Sequence, residues 1–182
     1  MDASQFQGRL LKGEKVVWWG QPKRGLLFTR RDWLLVPFSL FWAGFIVFWE
    51  MNVLRANGAT FMKFWGVPFM LIGIYLVAGR YVVDAWVRRG THYALTNKRV
   101  LILRAPPFSR FVALSLDQLP SANLTEYGRG RGTIRFGPEV PLWGGRGFAG
   151  WTPSLDPTPQ FLAIEEAARV FDHIQSGIAR DR

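Results

Sequence analysis

Two stretches without charge decide what this chain can fold into. Trp33 to Trp49 (WLLVPFSLFWAGFIVFW) runs for 17 residues without an ionisable group, and Phe64 to Gly79 (FWGVPFMLIGIYLVAG) for 16. The first continues past Glu50 to Arg55. The second extends to Phe61–Val83 if Lys63 and Arg80 snorkel toward lipid head groups. At about 1.5 Å per residue, about 20 helical residues cross a hydrocarbon core about 30 Å thick. Both stretches reach that length, and neither carries the polar stripe of a helix half-buried in a soluble domain. Lipid offers no partner to a free N–H or C=O, so helices are expected over about residues 33–54 and 61–83. A cleaved signal peptide does not fit. The apolar stretch starts too late, runs too long and meets no small-residue cleavage site.

Pro37 and Pro68 sit near the starts of the two stretches, where a first helical turn tolerates proline. The connector Arg55–Thr60 holds Asn57-Gly58, a turn signal. A tight antiparallel hairpin is therefore expected, with Trp33, Trp49, Trp65 and Trp86 at its interfacial levels. Ser39, Gly44, Gly66 and Gly73 are the small residues that would let helices approach closely. Orientation follows from the bases. Lys15, Lys23, Arg24, Arg30 and Arg31 precede the hairpin, Arg88, Arg89, Lys98, Arg99 and Arg104 follow it, and the connecting region has only Arg55 and Lys63. Positive-inside bias then predicts a multi-pass membrane protein with both termini cytoplasmic and the short turn outside.

That placement accounts for much of the net charge of +10. Residues 1–32 hold seven bases against three acids, and residues 84–182 hold 13 against nine. The second region is too mildly basic for a nucleic-acid footprint. Three regions follow: an N-terminal cytoplasmic segment (1–32), the transmembrane hairpin (33–83) and a cytoplasmic domain (84–182).

Beyond Val83 the pattern turns to short apolar runs broken by Gly and Pro. Thr91–Thr96 and Lys98–Arg104 read as strands joined at Asn97. Arg110–Leu116 puts Val112, Leu114 and Leu116 on one face, Ala122–Tyr127 places Ala122 and Leu124 inward, and Thr133–Phe136 alternates around Ile134 and Phe136. The Gly- and Pro-rich stretch 138–159 reads as loops with one short strand near Ala149–Trp151. Ala167, Val170, Phe171, Ile174 and Ile178 then recur at helical spacing, with Glu165 and Glu166 expected in the first turn and Arg180 in the last. Meandering strands closed by one amphipathic helix make an α+β class, a small antiparallel barrel or sandwich.

Several of these segments resemble one family. Gly13-Glu-Lys-Val-Val-Trp-Trp-Gly20-Gln-Pro22 is similar to the opening signature of bacterial pleckstrin-homology-like (PH domain-containing) membrane proteins. Tyr93-Ala-Leu-Thr96-Asn-Lys-Arg99 resembles their Y-x-L-T-x-x-R hairpin, and Ser115-Leu-Asp117-Gln-Leu119 their L-D-x-I strand end. Gly130-x-Gly132-Thr-Ile134 resembles their G-x-G-T-I turn, and Phe161-x-x-Ile164 with Val170-Phe171 their last strand and helix. The resemblance covers roughly residues 13–22 and 91–174, with a membrane hairpin between. It implies a bent antiparallel sheet of seven strands capped by a C-terminal helix, and no enzymatic activity. It also implies roles of the kind its members have, as assembly factors of membrane complexes or in the envelope stress response.

No catalytic constellation is legible. The chain has no Cys, which removes thiol chemistry, zinc ribbons and iron–sulfur ligation together. His92 and His173 stand in no motif, and Ser109 and Ser115 have no base spaced for nucleophilic work. Gly128-Arg-Gly-Arg-Gly132 precedes a strand rather than opening a helix, so it reads as a hairpin turn and not as a phosphate loop. No cofactor and no metal are expected. Trp143, Arg146, Phe148 and Trp151, in a Gly-rich loop, are candidate partner-binding residues, because Trp and Arg are enriched in binding hot spots; Arg129 and Arg131 at a hairpin tip join them. Arg88, Arg89, Lys98 and Arg99 are candidate contacts to anionic lipid. The expected function is a non-enzymatic docking, assembly or accessory subunit of a membrane complex, its partner another integral membrane protein or a second copy. The alternative is an anionic-lipid-sensing module.

Overall fold

A computed structural model describes residues 4–29, 32–56, 59–119, 121–128, 130–138 and 151–180. It divides into two compact units, Leu26–Val83 and the combination of Met1–Gly25 with Asp84–Arg182. The residues before the apolar helices, read above as a segment of their own, thus fall with those after them up to Gly25.

The first unit is helical. Helix α2 spans Asp32–Arg55 and α3 spans Thr60–Ile74; a π-helical turn, Tyr75–Gly79, leads into α4, Arg80–Arg89, whose residues from Asp84 on belong to the other unit. (The short α1 is Ser4–Gln7.) Two helical runs, Asp32–Arg55 and Thr60–Arg89, are long and apolar enough to cross a membrane. Helices α2 and α3 pack antiparallel. Trp42 stacks on Phe69 with ring centroids 6.3 Å apart, and Gly73 lies within van der Waals reach of Trp42 and Ala43. Gly66 faces the Glu50 carboxylate, whose Oε2 is buried and has no hydrogen-bond partner among the described residues. Ser39 is buried, and its hydroxyl donates to the Leu35 carbonyl one turn back. Gly44 departs from the expected set: it is exposed, with no described residue within 4 Å of where a Cβ would sit. Gly66 and Gly73 therefore lie where α2 meets α3, and Gly44 does not.

Both prolines lie deeper than a first turn. Pro37 and Pro68 are inside α2 and α3, so the carbonyls of Trp33 and Phe64 lack their helical donor. Arg80 does not snorkel. It is buried, 3.0 Å from the Asp32 carboxylate, and its guanidinium donates to the Tyr81 hydroxyl, which donates in turn to Asp32 at 2.9 Å. An acid and a base thus neutralise each other at the ends of the helices, where either alone would be costly to bury.

The second unit is β-rich. Strands β1 (Val16–Gly20), β2 (Thr91–Thr96), β3 (Arg99–Arg104) and β4 (Arg110–Ser115) form one antiparallel sheet in that order. Strands β5 (Ala122–Gly128), β6 (Arg131–Phe136) and β7 (Gln160–Ile164) form a second, and α5 (Ala167–Arg180) follows. Alternation sorts the side chains. Tyr93, Leu95, Val100 and Ile102 on one face of the first sheet join Ile134, Phe136, Phe161, Ile164, Val170 and Ile174 in the main core. Ala94 and Leu101, on the other face, are covered by Phe6 and Leu10. Both faces in the middle of β2 and β3 are therefore buried, which is why Tyr93–Leu95 and Val100–Leu103 are unbroken apolar stretches.

Two features differ from the pattern reading. Trp151 is not in a strand, and Ala149 lies outside the described residues. Glu165 and Glu166 precede α5 instead of occupying its first turn. The strand before α5 also carries a left-handed residue, Ala163, at φ 48°. Its N–H bonds the Thr133 hydroxyl at 3.0 Å and its carbonyl accepts from Lys23 N–H at 3.0 Å, so the irregularity ties β7 to both β6 and the chain after β1.

Gly132 is the tightest point of the second sheet: a Cβ there would lie 2.8 Å from the Thr125 carbonyl and 2.9 Å from Ala167 Cβ. Both obstacles are fixed to backbone, so Gly132→Ala is expected to destabilise this unit by about 1–3 kcal/mol. Gly8→Ala, at an open site, should stay within about 0.5 kcal/mol. Denaturant unfolding of the two variants in detergent measures the difference.

Candidate functional site

The charged residues of the β-rich unit sort into those spent on holding it together and those left on its surface. Glu14, just before β1, has a fully buried carboxylate. It accepts from Arg99 Nη2 at 2.7 Å and Nε at 3.1 Å, from the Thr96 hydroxyl at 2.7 Å and from Leu11 N–H at 2.6 Å. The Arg99 guanidinium at its side holds Glu14 down to about 2 against the opposing effect of burial, and Glu14 raises Arg99 in return. Arg99 also donates to the Arg9 carbonyl at 3.1 Å. A guanidinium so engaged is a clamp between β1 and the β2–β3 hairpin, which corrects its assignment as a lipid contact.

Arg88 is corrected in the same way. It is buried, and donates through Nε to Asp84 at 2.7 Å, through Nη2 to the Gly25 carbonyl at 2.7 Å and through Nη1 to the Lys23 carbonyl. The other Asp84 oxygen accepts from Ser154 N–H at 2.9 Å. Its sequence neighbour Arg89 is exposed, and so is Lys98. Of the four basic candidates for lipid, two remain at the surface.

An open groove of about 660 Å³ runs beside β1, lined by Trp18, Trp19, Gln21, Lys23, Arg24, Arg131, Glu165 and Glu166. Period two on β1 turns Trp18 inward, 5.5 Å from the Phe161 ring, and leaves Trp19 exposed. Arg131, one of the candidate partner-binding residues, forms a wall of this groove and is 3.0 Å from Glu165. Trp151 is half-buried. Arg129, Trp143, Arg146 and Phe148 lie outside the described residues, so the structure does not bring them together with Arg131. Pattern reading missed Trp19, Lys23 and Arg24 as one surface. Adjacent Trp residues at a strand position were the available signal, since one of the two must face out.

The remaining titratable groups sit apart. His92 is half-buried on β2, and burial lowers its pKa against the opposing effect of a hydrogen bond with the Gly90 backbone. His173 is exposed on α5 and Asp117 is exposed in the turn after β4. Burial raises the Tyr93 hydroxyl and lowers Arg104. Both line a cavity of about 20 Å³, the volume of about one water. Among the described residues no three acids, histidines or cysteines are grouped to hold a metal. No protein-family model matches this chain, and neither does any curated protein or solved structure.

The Glu14 clamp has a pH signature. Its folded pKa lies below the ordinary 4.5, so its stabilisation is complete above that value and fades as pH falls toward 2. The span corresponds to about 3 kcal/mol. Glu14→Gln should destabilise the protein at pH 7 by a similar amount and flatten its acid unfolding between pH 4.5 and 2. Unfolding curves recorded across that range read both effects.

Proposed function

We propose that this chain is a non-enzymatic, multi-pass protein of the bacterial inner membrane, whose β-rich unit is a PH-like domain on the cytoplasmic side. Its task is to dock another membrane protein, or a second copy of itself, as an assembly factor or accessory subunit. The membrane reading rests on what α2 and α3 leave uncovered. Trp33 is 88% exposed, Phe41 75% and Phe64 70%, among many other large apolar side chains of both helices. Apolar surface this continuous needs lipid or another helix against it. The antiparallel packing of α2 on α3, with bases concentrated on the flanks, supports a cytoplasmic location for both termini. The PH-like reading is supported by sheets of four and three antiparallel strands followed by a helix, with the family-like segments at β2–β3, the β5–β6 turn and β7.

Gly44 is the observation that carries docking. It is a small-residue notch among Phe41, Phe45 and Phe48, all exposed, and its own hairpin does not use it. Such a notch lets a second membrane helix approach closely. Lipid sensing by basic tips is the weaker reading, because Arg88 and Arg99 are consumed internally and leave only Arg89 and Lys98.

The chain has no native cysteine, so Gly44→Cys gives a single reactive position. Cross-linking in native membranes should yield one adduct of defined mass, at twice 20.8 kDa if the partner is a second copy. Gly44→Leu should weaken co-purification of that partner in mild detergent. A lone monomer with no adduct sinks the docking role, and cross-links from Lys98→Cys to anionic lipid alone would put lipid sensing in its place. Reporter tags at the two ends should both be accessible from the cytoplasm; tags on opposite sides refute the topology.

A further inference from the structure

An aromatic and proline-rich patch in the β-rich unit is not used by the docking role. Trp86 on α4 is 55% exposed, and Phe108, in the β3–β4 connection, is 42% exposed. Their rings meet edge to face, centroids 6.5 Å apart. Together with Arg89, Gly90 and Ala105–Pro107 they line an open groove of about 360 Å³. The backbone of this connection has few donors to lose. Ala105 N–H is bonded to the Gly90 carbonyl at 2.8 Å, and Pro106 and Pro107 have no N–H at all. An unpaired N–H is what makes most loops costly in an apolar medium.

We propose that the Pro106-Pro107-Phe108 tip dips into the lipid interface and anchors the β-rich unit at the bilayer surface. The inference rests on the membrane reading above. Trp86 lies three residues beyond Val83 in the last turns of the helical run Thr60–Arg89, a position where Trp is favoured at a membrane boundary. Phe108 touches Trp86 and so shares that level. Arg89 follows by about 4.5 Å along the helix axis and is exposed, a position suited to lipid phosphates. The occupant is thus an apolar–anionic boundary, not a peptide strand or a helix.

Spin labels on single-cysteine variants of the full chain test this, in vesicles of phosphatidylcholine and phosphatidylglycerol. Collision with oxygen, which concentrates in lipid, is compared with collision with a neutral nickel chelate, which stays in water. Phe108→Cys should favour oxygen several-fold, while Lys98→Cys favours the chelate. Phe41→Cys on α2 reads the membrane placement independently. If it favours the chelate, the membrane reading fails and the anchor with it. If Phe41→Cys reads lipid but Phe108→Cys reads water, the anchor alone is overturned. Low collision with both probes at position 108 also overturns it, since that marks a protein contact.

Discussion

The closed pairing of Glu14 with Arg99 is the constraint on which the β-rich unit depends. Strand β1 is separated from its partner by the whole apolar region: Val16 sits opposite Thr96. Its partners are distant in sequence. It is held by the buried carboxylate at its start, by the Trp18 ring on Phe161 in its middle, and by Lys23 N–H and the Arg88 fork just beyond its end. Each contact joins residues more than 60 positions apart, so each opposes a large loop-closure entropy. Buried charge is a costly way to do this unless every donor and acceptor is matched, and at Glu14 the matching is nearly complete.

The helical unit uses the same device at its base and a different one along its length. Asp32, Arg80 and Tyr81 form a neutral polar knot where the helices end. Above it the contact is made by absent side chains: Gly66 beneath Glu50 and Gly73 beneath Trp42 and Ala43. In the proposed lipid setting, burying more apolar surface would add little, so close approach and a few polar contacts would hold the helices together.

Much of this was legible from pattern alone, and the losses have physical causes. The helices announce themselves because apolar runs of 17 and 16 residues without a charge are far longer than a strand needs. Strands β4, β5 and β6 follow from alternation bounded by turns, and the β2–β3 hairpin from two short apolar runs joined at Asn97. Strand β1 is harder. Val-Val-Trp-Trp-Gly is too short to separate strand from loop when its partner is 70 or more residues away. The basic residues divide for the same reason. Arg88 and Arg89 are indistinguishable by charge counting, yet Asp84, one helical turn before Arg88, was a local sign that one of them is paired. Arg99 offered no such sign, since Glu14 is 85 positions off. The two prolines misled because only tertiary placement reveals how far a helix extends ahead of them.

The borrowed first strand has a practical consequence for anyone cutting this molecule. A polypeptide begun after the helices would retain β2 to β7 and α5 but leave the outer edge of β2 bare, with Arg99 stripped of its counter-ion and Ala94 and Leu101 without Phe6. Such an edge invites another strand, so the fragment would tend to pair with its own kind. A faithful excised version has to carry residues 4–25 in cis, grafted through a short artificial bridge that replaces the greasy insert.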